Sequence, residues 1–255
     1  MLVSVLCSGS SGNSTLVSSG NTHILIDLGM NNKYICEKLK ENNIDASDIS
    51  CVLVTHTHKD HTGAMKVFLK KNNPTLYISK SMINDIHDLV GDYDNISLED
   101  GKFNISDDIS VETFNTSHDA PGARGYIISD KNTSMVYVTD TGYINTRILN
   151  KIKDKNIYVF ESNHDTEMLM HGRYPSYLKK RILSDEGHLS NEQAGFYLSK
   201  LVGNNTKYII LAHLSHENNT EKLAYETVKE ALLNENINFN NIITAKQNES
   251  VTINI

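Results

Sequence analysis

The sequence predicts an α/β protein built as an αββα sandwich, with two mixed β-sheets packed face to face and helices on the outer faces. Three observations lead there. Apolar runs of strand length alternate with amphipathic helical stretches over all 255 residues. The strands often pair in hairpins instead of appearing strictly one per helix, which argues against a doubly wound parallel sheet. No repeat, low-complexity run or linker marks a boundary, so residues 1–255 are expected to form a single domain. With 39% hydrophobic residues, a chain of this length can bury a sizeable core without disulfides.

The elements follow in order. Leu2 to Leu6 and Ser14 to Ser18 flank a Gly/Ser-rich turn, Cys7 to Asn13, and read as a hairpin. That turn lacks a following Gly-Lys-Ser/Thr, so it reads as a plain turn and not as a phosphate cradle. His23 to Leu28 is a third strand, and Ile35 and Leu39 recur at helical spacing within Asn32 to Asn42. Cys51 to Thr55 is the next strand. Ala64, Val67 and Phe68 define one face of a helix that breaks at Asn72-Asn73-Pro74. Leu76 to Ser79 reads as a strand and Ser81 to Leu89 as a helix. After a polar loop, Ile109 to Phe114, Gly125 to Ser129, Ser134 to Thr139 and Ile157 to Glu161 are strands. The pattern weakens from His164 to Ser190. Ser190-Asn191-Glu192-Gln193 then fits a capping box opening a helix through Leu201, and Tyr208 to Ala212 is a buried strand. A helix over Thr220 to Leu233 and two short strands complete the pattern.

Composition narrows the setting. Cys7, Cys36 and Cys51 are odd in number with no Cys-x-x-Cys spacing, which points to reduced thiols and a cytoplasmic location. Met1 to Cys7 lacks a basic leader and is far too short for a membrane span, so no membrane partner is expected. A net charge of −7 argues against a uniformly basic nucleic-acid surface while leaving room for a local basic groove. Arg173, Lys179, Lys180 and Arg181, with Arg124, Arg147, Lys151 and Lys153, are candidates for such a groove, and Tyr174 and Tyr177 for packing or base stacking.

The chemistry concentrates in Thr55 to His61, Thr-His-Thr-His-Lys-Asp-His, directly after the apolar Val52-Leu53-Val54. Residues two apart on an extended segment point the same way, so His56 and His58 can share one metal ion. Asp60 and His61, past the turn, can reach a second. Further candidates sit at strand ends: His118, Asp140 and His213, with His216 as the rival of His213.

On these residues the chain resembles the metallo-β-lactamase-fold hydrolase superfamily over essentially its full length. The resemblance rests on Asp27 in Leu-Ile-Asp-Leu-Gly, the Thr55–His61 run, His118, Asp140 in Thr-Asp-Thr-Gly and His213. It implies that His56, His58 and His118 hold one metal, that Asp60, His61 and His213 hold the other, and that Asp140 bridges them. Asp27 would orient the ligand loop from behind. The ions implied are two divalent metals, zinc or manganese, with iron compatible with the same donors.

Two further segments bear on the reaction: Glu161-Ser162-Asn163-His164-Asp165 and Gly187-His188-Leu189-Ser190. Glu161 and His188 resemble a pair that assists phosphodiester cleavage in transfer-RNA 3′-processing nucleases of the same superfamily, although Leu189-Ser190 replaces that family's Ser-Thr. His188 would protonate a leaving oxygen, with Glu161 stabilising its charged form. These segments, with Gly9 to Ser14 and His213-Leu-Ser-His-Glu-Asn-Asn219, are most similar to the YycJ/WalJ/VicX subfamily. That similarity implies a 5′ to 3′ exonuclease on double-stranded DNA with a link to mismatch repair, in which Asp60 would align the attacking water. Alternatives are a metal-dependent hydrolase of RNA or of a small ester or thioester, a di-iron redox protein, and a non-catalytic regulatory protein. Oligomeric state is left open.

Overall fold

The computed structural model describes residues 1–255. Strands β1 (Leu2–Cys7), β2 (Ser14–Ser19) and β3 (Thr22–Ile26) form the expected antiparallel hairpins, followed by helix α1 (Asn32–Glu41) and strand β4 (Ile49–Leu53). The metal-ligand run then leads through a one-turn helix, α2 (Lys59–Thr62), into α3 (Met65–Asn72), β5 (Thr75–Ile78) and α4 (Ile83–Val90). Next come β6 (Ile96–Leu98), β7 (Lys102–Asn104), β8 (Ser110–Asn115), β9 (Arg124–Ser129) and β10 (Ser134–Val138). Helix α5 (Thr146–Ile152), strand β11 (Ile157–Glu161) and helices α6 (Thr166–His171), α7 (Ser176–Ile182) and α8 (Asn191–Leu201) follow. The chain finishes with β12 (Tyr208–Ala212), α9 (Glu221–Asn234), β13 (Ile242–Thr244) and β14 (Val251–Asn254).

The strands make two mixed seven-stranded sheets, ordered β14-β1-β2-β3-β4-β5-β6 and β13-β12-β11-β10-β9-β8-β7. In the first, β3, β4, β5 and β6 run parallel; in the second, β10, β11, β12 and β13 do. Parallel strands deliver their carboxyl ends to one edge, where ligand sites of open α/β sheets gather. Asp27 and Thr55–His61 lie beyond such ends in the first sheet, and Asp140, Glu161 and His213 at or beyond them in the second.

Two compact units can be distinguished: residues Met1–Glu112, Ala120–Gly122 and Lys246–Ile255, and residues Thr113–Asp119 and Ala123–Ala245. Each has its own core. Leu25, Val52, Phe68 and Leu76 lie in the first, and Val136, Phe160, Leu198 and Leu211 in the second, all fully or almost fully buried. The capping box at Ser190 and Gln193 opens α8 as the sequence predicts, and the side chains of Asn31, Asp165 and Thr220 cap α1, α6 and α9. No helix is long and apolar enough to cross a membrane.

Three sequence expectations change. The inward face of α3 is Met65, Phe68 and Leu69, and Val67 is 46% exposed, because the buried positions from Ala64 recur at i, i+1, i+4 and i+5 and leave i+3 on the outer side of the stripe. The polar loop after α4 contains the three-residue strands β6 and β7, too short to show alternation. The weak stretch from His164 to Ser190 holds α6 and α7, helices of six and seven residues that each bury one apolar side chain, Leu169 and Ile182. A single buried residue leaves no period to read. Helix α5, buried only through Ile152, escaped for the same reason.

Candidate metal centre

In the first unit, β4 is buried through Leu53 and hands the chain to Thr55 and His56, also buried. His58 has extended backbone and caps α2, which carries Asp60 and His61. The ring of His56 lies 4.6 Å from that of His58 and 4.2 Å from that of His61. Asp27 organises the run from behind. Its carboxylate accepts the Thr55 N–H at 2.8 Å and hydroxyl at 2.7 Å, and its Oδ2 lies 2.7 Å from His61 Nδ1. Burial pushes the Asp27 pKa up from its ordinary value, while the His61 imidazole and the Thr55 donors pull it down. With two Thr55 donors already on the carboxylate, the shared proton belongs on His61 Nδ1, which leaves Nε2 as the ligand atom.

In the second unit, parallel strands deliver Asp140, Glu161 and His213, and His188 stands just ahead of α8. Donor atoms of these four residues lie within 4.8 Å of one another. Glu161, completely buried, organises them. Its Oε1 lies 2.9 Å from His188 Nδ1 and 2.8 Å from His213 Nδ1, and accepts the Asp140 N–H at 3.1 Å. Its Oε2 accepts the N–H groups of Thr141 and Leu189 at 3.0 and 3.2 Å. Burial pushes its pKa up, but the imidazoles of His188 and His213 outweigh this and hold it down at about 2. His118 Nε2 lies 3.7 Å from Asp140 Oδ1 and 3.6 Å from Asp119 Oδ1. Burial lowers the His118 pKa and so favours the neutral, metal-binding imidazole. Asp119 is gripped in turn by Arg181, whose Nη2 donates to Oδ1 at 2.9 Å.

Three of these residues have left-handed backbone: Asp27 (φ 61°), Asp140 (φ 55°) and His213 (φ 59°). Each follows a strand, and the reversal redirects a side chain that continued β geometry would send elsewhere. Non-glycine residues with this conformation are uncommon, and strained backbone clusters at functional sites.

The donors fit divalent metal ions. Imidazole nitrogens and carboxylate oxygens predominate, and His61 and His213, whose Nδ1 atoms face Asp27 and Glu161, keep Nε2 for a metal. His213 is 4% exposed beside Glu161, whereas the side chain of His216 is 77% exposed, close to Glu217.

Residues 22–213 match the family model described as the beta-lactamase superfamily domain. The chain belongs to this superfamily. It is 39% identical over 235 residues to the exodeoxyribonuclease YycJ of Bacillus anthracis, covering 90% of this chain and 88% of that protein. It is 38% identical over 230 residues to the exodeoxyribonuclease WalJ of Streptococcus pneumoniae, covering 88% and 86%. Among solved structures, the metallo-β-lactamase fold protein YhfI of Bacillus subtilis superposes with a TM-score of 0.74 at 17% identity, covering 98% of each chain. The chain therefore has the metallo-β-lactamase fold.

Within that fold, one site residue escaped the sequence reading. Asn13, in the turn taken as plain, is fully buried. Its Nδ2 lies 3.2 Å from Asp60 Oδ2 and 3.1 Å from His61 Nε2, and its backbone N–H donates to Asp60 O at 2.7 Å. The Gly-Asn pair after two serines was the available signal, since a short amide side chain in a tight turn can bond neighbouring backbone. Of the eight basic candidates, Arg173, Lys180, Arg147 and Lys153 are exposed, and the other four are engaged within the protein. Lys179 donates to the carbonyls of Met170 and Gly172 at 2.7 and 2.8 Å, and Lys151 to that of Thr113 at 2.9 Å. Arg181 holds Asp119, and Arg124 is 2% exposed against Tyr126. Tyr177 is 75% exposed. His23 bonds Ser18 at 2.9 Å, and the side chains of His87 and His171 are exposed.

Proposed function

We propose that this chain is a metal-dependent phosphodiesterase, a 5′ to 3′ exonuclease on double-stranded DNA. His56, His58 and His118 would hold one divalent ion and Asp60, His61 and His213 the other, with Asp140 as a ligand common to both. The observation that carries the reading is the Glu161 carboxylate joined to both His188 and His213, in a chain whose relatives at 38–39% identity are named exodeoxyribonucleases. The three free cysteines, two of them buried, fit a reducing cytoplasm.

Two divalent ions supply an activated water and stabilise charge on the phosphoryl oxygens. Zinc and manganese both suit the donors. The protein's own groups do the rest. Asp60, with its side chain 25% exposed, aligns the water and takes its proton. His188 gives its Nδ1–H to Glu161, and its Nε2 side donates to the leaving oxygen; its side chain is 15% exposed, enough to meet a substrate. Glu161, at 0%, orients His188 without touching substrate.

The test is to incubate zinc- or manganese-loaded protein with duplex and single strands of DNA and RNA labelled at either end. Release of nucleotides from the 5′ end of duplex DNA is expected. His58→Ala should lose metal, and His188→Ala should keep metal while turnover falls by about 10² or more. Hydrolysis of lactones or thioesters with none of DNA, or full DNA turnover by metal-loaded His188→Ala, overturns the reading.

A further inference from the structure

Three of the four segments similar to the exonuclease subfamily, Glu161 to Asp165, Gly187 to Asn191 and His213 to Asn219, interlock through buried amides. Asn191 and Asn219 form a reciprocal pair. Asn191 Nδ2 donates to Asn219 Oδ1 at 2.9 Å, and Asn219 Nδ2 donates to Asn191 Oδ1 at 2.9 Å. Asn219 Nδ2 also reaches the carbonyls of Ser162 at 2.9 Å and Asn163 at 3.0 Å, and Ser162 Oγ donates to Asn191 Oδ1 at 2.6 Å. Asn191 is the first residue of α8, so the pair ties the helix that follows His188 to the segment that follows Glu161.

Asn163 carries the network to His213. Up to Ala212 the parallel ladder continues, with the Ser162 N–H donating to the Ala212 carbonyl at 3.0 Å. At His213 the backbone turns left-handed and the His213 carbonyl leaves the ladder. That carbonyl accepts from Asn163 Nδ2 at 2.8 Å, and the Ser215 N–H returns to the Asn163 carbonyl at 2.7 Å. Asn163 thus clamps both sides of the turn. A histidine at positive φ is strained and persists only where its surroundings hold it. Asn163 and Asn219 are each 6% exposed, so water cannot take over these bonds.

We infer that Asn163, itself fixed by Asn219, is a positioning residue for His213: it holds the left-handed turn that presents this imidazole to the metal. The inference rests on the assignment of His213 as a metal ligand. The Asn163 amide matters because it supplies the N–H that the His213 carbonyl accepts, which alanine lacks. Ser162 makes the matching control, since its hydroxyl belongs to the same network but does not touch His213.

The experiment titrates metal-free wild type, Asn163→Ala, Ser162→Ala and His213→Ala with zinc, reading stoichiometry and affinity by native mass spectrometry, with folding followed by circular dichroism. Wild type and Ser162→Ala should bind about two zinc ions per chain. Asn163→Ala should stay folded, keep one zinc, and bind the second about 10- to 100-fold more weakly, as loss of a group that orients a ligand does. Asn163→Gln, which keeps the donor, should recover part of that affinity. Two zinc ions at wild-type affinity in Asn163→Ala overturn the inference. So does a variant that unfolds or loses both ions alike with Ser162→Ala, which is what a purely structural network predicts. If His213→Ala itself keeps both ions, the ligand assignment fails instead, and the two failures are told apart.

Discussion

At the scale of single residues, Glu161 shows how one carboxylate can set several others. It accepts from three backbone N–H groups and faces two imidazoles, so its charge holds the Asp140 turn, the approach to α8 and His213 together. Glu161→Gln keeps the shape but turns an N–H₂ toward donors that need an acceptor. A loss of about 3 kcal/mol in urea unfolding is expected, since hydrogen bonds to charged groups contribute about 1.5–3 kcal/mol each. Turnover should fall by about 100-fold with it. His164 is the opposite case. It is 1% exposed and neither ring nitrogen has a hydrogen-bond partner. Burial drives its pKa down to about 4 from an ordinary 6.5. The folded state therefore resists protonating it. That contribution to stability is fully present above about pH 6.5 and is lost as pH falls toward 4, a total of about 3 kcal/mol. Metal-free wild type should thus lose more stability between pH 6.5 and pH 4 than metal-free His164→Leu. Parallel stability-versus-pH curves for the two proteins would exclude this role.

At the scale of elements, the ligand turn rests on backbone packed against backbone. The Asn13 N–H meets the Asp60 carbonyl, the Gly29 N–H meets the Asn13 carbonyl, and the Leu28 N–H meets the His61 carbonyl at 2.8 Å. A Cβ on Gly29 would stand 2.1 Å from Asp60 O and 2.3 Å from Asn13 N, so both segments would have to move. Gly29→Ala is expected to cost more than about 2 kcal/mol of stability and to weaken zinc binding at least tenfold, measured by thermal melting and competition with a chelator. Wild-type affinity in that variant would show that the buttress does not shape the site. The sequence made the Thr55–His61 run legible because its ligands are adjacent in the chain and follow an unbroken apolar strand. It made the capping box of α8 legible because that signal is local. Asn13 and the left-handed turns at Asp27, Asp140 and His213 were not legible in the same way. Their geometry is imposed by contacts 21 to 52 residues distant in sequence, such as Glu161 with the Asp140 N–H and with His213.

At the scale of the whole molecule, the alternation of hairpins and helices was enough to predict two mixed sheets, because central strands such as β10, β11 and β12 carry apolar runs of four or five residues, although the three-residue strands β6 and β7 left no such mark. The division into two compact units left no mark in composition, since the chain passes between them without a linker. A ligand that binds only the folded state stabilises it by RT ln(1 + [L]/Kd), about 2.7 kcal/mol at one hundred times Kd. In the second unit the proposed ligand His213 follows β12, and its Nδ1 meets Glu161, which also accepts the Leu189 N–H just ahead of α8. Amide hydrogen exchange, compared with and without saturating zinc, is therefore expected to slow at β12 and at the start of α8, and His213→Ala should reduce that protection. Exchange at β12 unchanged by zinc, or protection kept in His213→Ala, would mean that His213 does not hold an ion.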